Sequence, residues 1–348
     1  MNDMKKTILA VAVTLAATSV NAAEIYNKDG VKLELGGAAE VQYKKERAKD
    51  SKGNFRLDDG DLFATTTVTV NEELNAIGKA AFKFESKNVE NDELYVGLQH
   101  NQFGTFTAGR QTTTFDSAGI GQAIEFGLNF FEDEITTLGV GSGDNVVKYK
   151  GTFGNAWVGG SYADLTATKV KENVSTKTDT KAFDVAGGYK FGNFETALYF
   201  QQVKLGADAT TTVNNKSTVA SVQDLKSNTV HGQVKGTFDA ITVAASYSTT
   251  KVTSNVKVNK LKDATINIAK LATTYKLDEK TTLAGGYEYG DAKGPVEGKV
   301  HNFYANVSHK LHSNVKVYAE LGHADAKDKA GDKIKTELGY AAGLEVKF

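Results

Sequence analysis

The chain has 348 residues, a formal net charge of -1, one proline, 34 glycines and no cysteine. The absence of cysteine excludes a disulfide-stapled scaffold, and the near-neutral charge gives no strong field for binding nucleic acid. The mean hydropathy of -0.34 fits a soluble protein, but it also fits a membrane barrel, because only every second residue of a barrel strand faces lipid.

The first 22 residues have the three parts of a secretory signal. Lys5 and Lys6 form a basic region, residues 7–18 form an apolar region, and small residues up to Ala22 offer a cleavage site. We therefore predict a signal peptide at 1–22 and one exported domain at 23–348. After residue 22 there is no run of about 18 apolar residues, so the sequence predicts no membrane-spanning helix.

Alternation of apolar and polar residues recurs along the mature chain. In residues 31–44 the odd positions are mostly apolar, whereas the even positions carry charges, amides and small residues. A period of two indicates a β-strand with one apolar and one wet side. Residues 333–348 keep this pattern to the terminal Phe348. We predict roughly sixteen strands, at about 30–44, 61–70, 76–87, 92–100, 105–113, 145–152, 156–165, 181–191, 194–205, 227–238, 241–252, 264–277, 281–291, 299–311, 315–326 and 333–348.

Short turns and longer polar links alternate between these strands. Phe153-Gly154-Asn155 is typical of the short turns, and the longer predicted links are 45–60, 166–180, 206–226, 253–263 and 291–299. An up-and-down barrel with short periplasmic turns and longer external loops gives this alternation. Barrels of about 16–18 strands leave an aqueous channel. Within 264–277 the apolar phase changes near Lys270, which predicts a bulge there.

One connection is too apolar for an external loop. Residues 114–134 include four phenylalanines, yet Gly119, Gly121 and Gly127 interrupt any strand. Long ordered loops of this kind usually have a function. We predict that this loop folds inward against the wall and narrows the lumen, which leaves Asp116 and Glu125 free to line the opening. The alternative is a loop that lies over the mouth of the barrel or in a subunit contact.

Several short motifs occur in a definite order along the chain. Residues 23–30 are Ala-Glu-Ile-Tyr-Asn-Lys-Asp-Gly, and residues 94–98 are Leu-Tyr-Val-Gly-Leu. Phe103-Gly104, Gly109-Arg110, Phe115-Asp116 and Glu125-Phe126-Gly127 follow, and residues 343–348 are Gly-Leu-Glu-Val-Lys-Phe. In this order, over the whole mature chain, the motifs resemble the general diffusion porins of Gram-negative outer membranes.

This resemblance implies a sixteen-stranded antiparallel transmembrane β-barrel that assembles as a homotrimer and passes small hydrophilic solutes. It also implies a third loop folded into the channel, whose acids face a ladder of basic side chains. Asp116 and Glu125 match the family's acidic positions, whereas the ladder positions fall near Ala38, Thr65 and Asp92.

Two further sets of residues are assigned by the resemblance. Arg110 matches an arginine that lies behind the third loop near the trimer axis, where Glu90 of a neighbouring subunit is a candidate partner. The closing strand, with Gly343, Val346 and Phe348, is similar to the family's signal for the barrel-assembly machinery.

The resulting hypothesis is an outer-membrane channel, not an enzyme, with no cofactor or metal. Its expected surroundings are outer-membrane lipid and lipopolysaccharide. We expect a mild preference for cations, because the acids are retained and the basic ladder looks depleted. Trp157 is expected in an aromatic girdle facing the membrane interface. The alternatives are a sugar-specific channel, with aromatic side chains such as Tyr95, Tyr199 and Tyr318 along the lumen, and a surface adhesin or receptor barrel.

Overall fold

The fold is one antiparallel sheet that closes on itself. The computed structural model describes residues 22–85, 88–128, 139–171, 174–213, 216–254, 263–295 and 297–348. The described residues contain no helix with the length and hydropathy of a membrane span. The strands are β1 (Ala23–Lys28), β2 (Val31–Lys45), β3 (Asn54–Thr69), β4 (Leu74–Lys83), β5 (Glu90–His100), β6 (Gly104–Thr112), β7 (Ser142–Phe153), β8 (Ala156–Asp164), β9 (Ala167–Lys171), β10 (Val174–Phe191), β11 (Phe194–Val213), β12 (Lys216–Phe238), β13 (Ile241–Ser254), β14 (Ala264–Lys276), β15 (Thr281–Lys293), β16 (Gly298–His312), β17 (Val315–Lys327), β18 (Lys333–Ile334) and β19 (Gly339–Lys347).

The strands form a closed barrel of sixteen. Each wall strand pairs with its neighbours in the sequence, and β19 pairs with β2 to close the ring. Three short strands add no new position to the ring: β1 pairs with β2, β9 pairs with β10, and β18 pairs with β17. β1 and β19 meet different parts of β2, namely residues 31–35 and 38–45, so β1 continues the line of β19.

The closing contact is made by the last residue. The Phe348 N–H donates to the Gly37 carbonyl at 3.0 Å, and the Gly37 N–H donates to the Phe348 carbonyl at 2.8 Å. A closed ring leaves no unpaired edge along the wall, which is what a strand structure needs in a bilayer.

The two faces of the wall differ as the alternation predicts. On β5 the side chains of Leu94, Val96 and Leu98 are 58%, 68% and 51% exposed on the outer face. Gln42 of β2 and Glu320 of β17 point the other way and are buried. Apolar side chains outside and polar ones inside are the arrangement of a membrane barrel around a wet lumen.

Three of the predicted links are wrong over much of their length. Residues 54–60 belong to β3, residues 167–171 and 174–180 to β9 and β10, and the ends of β11 and β12 occupy most of 206–226. From sequence alone, their polar composition indicates a loop. In fact the cross-strand pairing continues through these residues. Where strands extend beyond the apolar band of the membrane, their outer face needs no apolar side chains.

Two details of strand geometry also differ from the prediction. The predicted bulge at Lys270 is absent, since β14 pairs with β13 and β15 without a shift in register. Ile266 and Ile268 are apolar residues that face inward. The strand keeps its register, and only the usual rule of polar inside and apolar outside is broken at these two positions. The predicted single strand at 333–348 is interrupted at residues 335–338, where Thr336 forms one isolated bridge to Ala48.

Candidate functional site

The described part of the connection between β6 and β7 contacts side chains of several wall strands. We call its described first part, residues 113–128, the loop segment. It opens with a short 3-10 turn at Phe115–Ser117. Phe115 is buried and packs edge-on against Tyr199 of β11, with ring centroids 6.1 Å apart. The Thr114 N–H donates to the Ser161 hydroxyl at 3.0 Å, and that hydroxyl donates to Asp184 at 2.8 Å.

At the far end of the segment, Phe126 occupies a socket in the wall. Its side chain is 0% exposed and packs with Tyr304 and Ala341. A Cβ added to Gly322 would lie 2.2 Å from the Phe126 side chain, and one added to Gly339 would lie 2.6 Å from it. These glycines face each other on β17 and β19. The socket therefore depends on two adjacent positions without side chains.

Glu320 holds the backbone beside this socket. Its carboxylate accepts the N–H groups of Ile124, Glu125 and Phe126 at 2.8, 2.5 and 2.9 Å. The Asn302 amide and the Arg47 guanidinium donate to the Phe126 carbonyl at 2.7 and 3.1 Å. A buried carboxylate is stable only with such donors, and hydrogen bonds to a charged group are among the strongest in proteins. The segment is thus fixed through its main chain.

Glu125 is at the centre of an ion cluster. Its carboxylate lies 2.7 Å from the Lys44 ammonium, 2.8 Å from the Arg56 guanidinium and 2.9 Å from the Gln42 amide. Burial alone would raise the pKa of Glu125, but the hydrogen bonds from Lys44 and Gln42 outweigh it and lower the pKa. These partners keep the Glu125 carboxylate in its charged form. It is not a free carboxylate, since only 10% of its side chain is exposed.

Asp116 lies in a different place, close to β7. Its carboxylate oxygen is 2.8 Å from where a Cβ on Gly141 would stand, and it interacts electrostatically with Lys148. The Lys148 ammonium also donates to the carbonyls of Thr112 and Thr113, at 3.0 and 3.2 Å. The two predicted acids therefore have separate basic partners, and Asp116, like Glu125, is not free.

The basic partners are the residues that sequence reasoning missed. The predicted ladder positions carry no base: Ala38 and Thr65 are uncharged, and Asp92 pairs with Lys83 at 3.4 Å. Instead, Lys44 sits at the end of β2 and Arg56 at the start of β3. Lys44 could have been found from its place in the wet phase of the first predicted strand. Arg56 could not, because it was assigned to a link.

Trp157 does not belong to a membrane-facing girdle. Its ring packs against Tyr199 at 5.8 Å, beside the cluster that contains Phe115. The register of β8 confirms this, because Trp157 shares the inward phase with Ser161, whereas Val158 is exposed on the outside. The prediction was wrong because an aromatic residue near a strand end fits either face when the phase is ignored.

The predicted contact between Arg110 and Glu90 joins two subunits, and the structure contains one chain. Arg110 donates to the carboxylate of Asp144 at 2.5 Å and to the Asn91 carbonyl at 3.0 Å, both within the same chain. Glu90 begins β5 and is exposed. A contact between Arg110 and a neighbour's Glu90 stays a prediction.

The three predicted assembly residues lie on the closing strand. Phe348 makes the ring-closing hydrogen bonds to Gly37. Val346 is partly exposed on the outer face, and Gly343 lies on the inner face opposite Gln42. Their part in assembly also stays a prediction.

Comparison with known proteins identifies relatives along the whole chain. The model of a family described as "Gram-negative porin" matches residues 9–329. Porin-like protein H of Photobacterium profundum is 38% identical over 357 residues, which cover 99% of this chain and 100% of the relative. The solved structure of outer-membrane expressed OmpT of Vibrio cholerae has a TM-score of 0.76 at 21% identity, covering 93% of this chain and 100% of that one. A trimer form of OmpT gives a TM-score of 0.70 at 21% identity, over 92% and 100% of the two chains.

Proposed function

Because the chain belongs to the Gram-negative porin family, and so forms a channel in the outer membrane, we propose that the loop segment folds into the lumen and sets its size limit. Small hydrophilic solutes then diffuse through the water that remains. Family and fold are those of a channel rather than an enzyme. Diffusion of solutes requires only a wet lumen with a fixed opening.

The anchoring of the loop segment supports an inward fold. Its contacts run from β8 and β11 at Phe115, through Gly119, whose N–H donates to Gln233 at 2.8 Å, to β17 and β19 at Phe126. Glu125 then reaches β2 and β3. All of these wall side chains belong to the inward phase of their strands. A segment in contact with strands on several sides of the ring narrows the opening that the ring encloses.

The arrangement of charge supports a mild preference for cations. Lys44 and Arg56 pair with Glu46 and Asp58 as well as with Glu125, so this ion cluster contains two bases and three acids. Below it on the inner wall, Glu40, Asp59 and Glu345 bring carboxylate oxygens within 4.8 Å of one another. Lys316 and Lys347 both pair with Glu345, at 2.7 and 2.9 Å. Glu40 and Asp59 form no ion pair among the described residues, so negative potential is left on the wall.

A planar bilayer experiment tests this function. Purified protein should give discrete ohmic steps of current. In a gradient of potassium chloride, the reversal potential should have the sign expected for a channel that is more permeable to potassium than to chloride. Screening should reduce that preference at high salt, since the Debye length is only about 3 Å at 1 M. Absence of steps would overturn the open channel, and a clear anion preference would overturn the assignment of charge.

The alternative of a sugar-specific channel gains little from the structure. Tyr199 and Tyr318 do face inward, but they are only 3% and 5% exposed. Tyr199 donates to the Ser117 carbonyl at 3.2 Å, and Tyr318 bonds to Glu40. Sugar stacking needs open ring faces, and these rings are covered. An adhesin or receptor barrel with a closed lumen is separated from a channel by the conductance measurement itself.

Assembly is proposed in the same terms. We propose that residues 1–22 are cleaved on export and that Gly343, Val346 and Phe348 present the closing strand to the barrel-assembly machinery. The mature chain then forms a homotrimer in outer-membrane lipid and lipopolysaccharide. The trimer form of OmpT supports the oligomeric state. Native mass spectrometry of protein extracted in mild detergent tests it: a mass of three mature chains is expected, and a monomer mass would contradict it.

A further inference from the structure

A polar and aromatic patch interrupts the apolar outer face of the barrel. We call it the external patch; it surrounds a cleft of about 520 Å³ on β15, β16 and β17, and its residues are Tyr287, Tyr289, Lys299, His301, Asp325 and Lys327. All six belong to the outward phase, because their neighbours Glu288, Asn302 and Ala324 are buried on the inside. Charged residues in the outward phase are costly except near the membrane surface.

The patch lies at the level where the apolar band ends. Going up the outer face of β17, the apolar Val315, Val317, Ala319 and Leu321 give way to His323, Asp325 and Lys327. This end of the strands also carries the long connection between β6 and β7, whereas β16 and β17 are joined at the other end by a two-residue turn. Long connections are external in these barrels. The patch therefore meets the headgroups of the outer leaflet.

Two lysines face each other in this patch, and Asp325 of the same patch forms an ion pair with neither of them among the described residues. Lys299 of β16 lies directly opposite Lys327 of β17 in the strand register. Like charges in this position are destabilising. Neither lysine forms an ion pair with any residue that the structure describes: Asp291, on the other side of Lys299, pairs with Lys293 at 3.8 Å. An anion between the two ammonium groups would remove the repulsion.

The rest of the patch offers hydrogen bonds and ring surfaces beside these lysines. The Tyr287 hydroxyl bonds to His301 Nδ1 at 2.8 Å, and the Tyr289 and His301 rings are 4.9 Å apart. Asp325 lies opposite His301 in the register, so its carboxylate can accept from a ligand hydroxyl while an anionic group stays near the lysines. The patch thus suits a ligand with both phosphate and sugar hydroxyls.

We propose that the external patch binds the phosphorylated headgroup of a glycolipid of the outer leaflet. Lys299 and Lys327 hold a phosphate between them, and the tyrosines and His301 contact the attached sugar. The acyl chains then lie on the apolar surface directly below, at Phe303 and Leu321, which are about half exposed. This inference concerns the outside of the barrel and is independent of the proposed constriction.

The test compares two double variants of the full-length channel. Lys299→Gln with Lys327→Gln removes the opposed pair. Lys226→Gln with Lys251→Gln removes two lysines that face outward near the external ends of β12 and β13, where they lie opposite Thr253 and Asn228. Binding is measured by native mass spectrometry with three probes: a bisphosphorylated disaccharide glycolipid, the same glycolipid without phosphates, and inorganic phosphate.

The expected result is specific to one variant and one probe. The Lys299/Lys327 variant should bind the phosphorylated glycolipid about tenfold more weakly than the unchanged channel, since each lysine near an anionic surface contributes to binding. The Lys226/Lys251 variant should bind it normally. Equal binding by both variants, or equal binding of the glycolipid without phosphates, would overturn the proposal. Binding of inorganic phosphate as tightly as glycolipid would assign the site to a free anion instead. Unchanged bilayer conductance in both variants separates this result from the channel function.

Discussion

Glu125 is the residue whose substitution best tests the electrostatics of the lumen. In Glu125→Gln the amide keeps the size of the side chain and can still accept hydrogen bonds from Lys44 and Arg56. The two bases, however, lose the negative charge that they share. We expect the ratio of cation to anion permeability to fall by about twofold at low salt, because fixed charge in a narrow low-dielectric pore controls local ion concentrations. Reversal potentials in a potassium chloride gradient measure this ratio.

The control for this variant is Glu279→Gln in the turn between β14 and β15. It removes the same charge from an exposed position far along the chain from the ion cluster. Its permeability ratio should equal that of the unchanged channel. If the two variants behave alike, Glu125 does not control selectivity.

At the level of single residues, the sequence located one half of the ion cluster. Glu125 was found because it belongs to a short contiguous motif, Glu-Phe-Gly, that is similar to a motif of a known family. Its partners were missed because Lys44 and Arg56 are 81 and 69 positions away in the chain (125 minus 44 and 125 minus 56). Alternation assigns a side chain to a face, but it does not say which loop atom meets that face. Only the three-dimensional path of the loop segment brings these charges together.

After its short 3-10 turn at Phe115–Ser117, the loop segment forms no helix or strand, so the wall must satisfy the rest of its main chain. In Glu320→Ala three N–H groups of residues 124–126 lose their acceptor. An unsatisfied buried donor costs about 1–3 kcal/mol, so the segment should leave the wall more often while the barrel stays folded. We expect open-channel current noise to rise about twofold. Single-channel recording measures it.

A matched control removes another inward carboxylate. Glu34 of β2 bonds to Lys32 at 2.7 Å and has no described bond to the loop segment. Glu34→Ala should therefore leave the noise unchanged. Equal noise in the Glu320 variant and this control would mean that the carboxylate does not anchor the segment.

The Phe126 socket provides a second test of how the loop segment is held, through side-chain packing instead of hydrogen bonds. Gly322→Ala places a methyl group where the Phe126 side chain lies, since the added Cβ would be 2.2 Å from it. Overfilling a packed site costs about 1–3 kcal/mol, and we expect Phe126 to be expelled. Limited proteolysis followed by mass spectrometry should then show new cleavage within residues 113–128. Gly285→Ala, whose Cβ would meet the Tyr304 carbonyl at an ordinary 3.4 Å, should be cleaved like the unchanged protein.

Elements were predicted best where their chemistry alternates within the membrane. The ends of β8, β13 and β15–β17 lie within about two residues of the predicted bounds. The errors concern β3, β9, β10, β11 and β12, which continue beyond the apolar band. There both faces of a strand are wet, so polar composition no longer distinguishes a strand from a loop. The inward isoleucines of β14 caused a different error, the predicted bulge at Lys270. Under the alternation rule, an apolar residue in the inward phase indicates a shift in register.

At the scale of the whole molecule, stability depends on closing the ring. One open seam would leave a row of unpaired backbone groups in lipid, each costing several kcal/mol. The seam between β2 and β19 joins residues that are about 300 positions apart (347 minus 38 is 309). The resemblance to a known family predicted this closure, whereas alternation alone predicts strands without saying that the first meets the last.

Gly37 marks the tightest point of this seam, and it gives the last prediction. A Cβ on Gly37 would lie 2.4 Å from the Asp61 carbonyl oxygen and 2.8 Å from the Phe348 ring. Since backbone cannot yield as a flexible side chain can, Gly37→Ala should separate β2 from its neighbours at the position where Phe348 bonds. We expect a refolded fraction at least about twofold lower, with a cost of about 1–3 kcal/mol.

The matched control for closure is Gly78→Ala on β4, another outward glycine within a wall strand. Its Cβ would meet nothing closer than 3.7 Å, at the Tyr95 carbonyl. The refolded fraction in detergent can be read as the band that migrates differently before and after boiling. Gly78→Ala should refold as well as the unchanged chain. If Gly37→Ala does so too, the contact between Gly37 and Phe348 is not required for closure, and the terminal phenylalanine acts only before the ring forms.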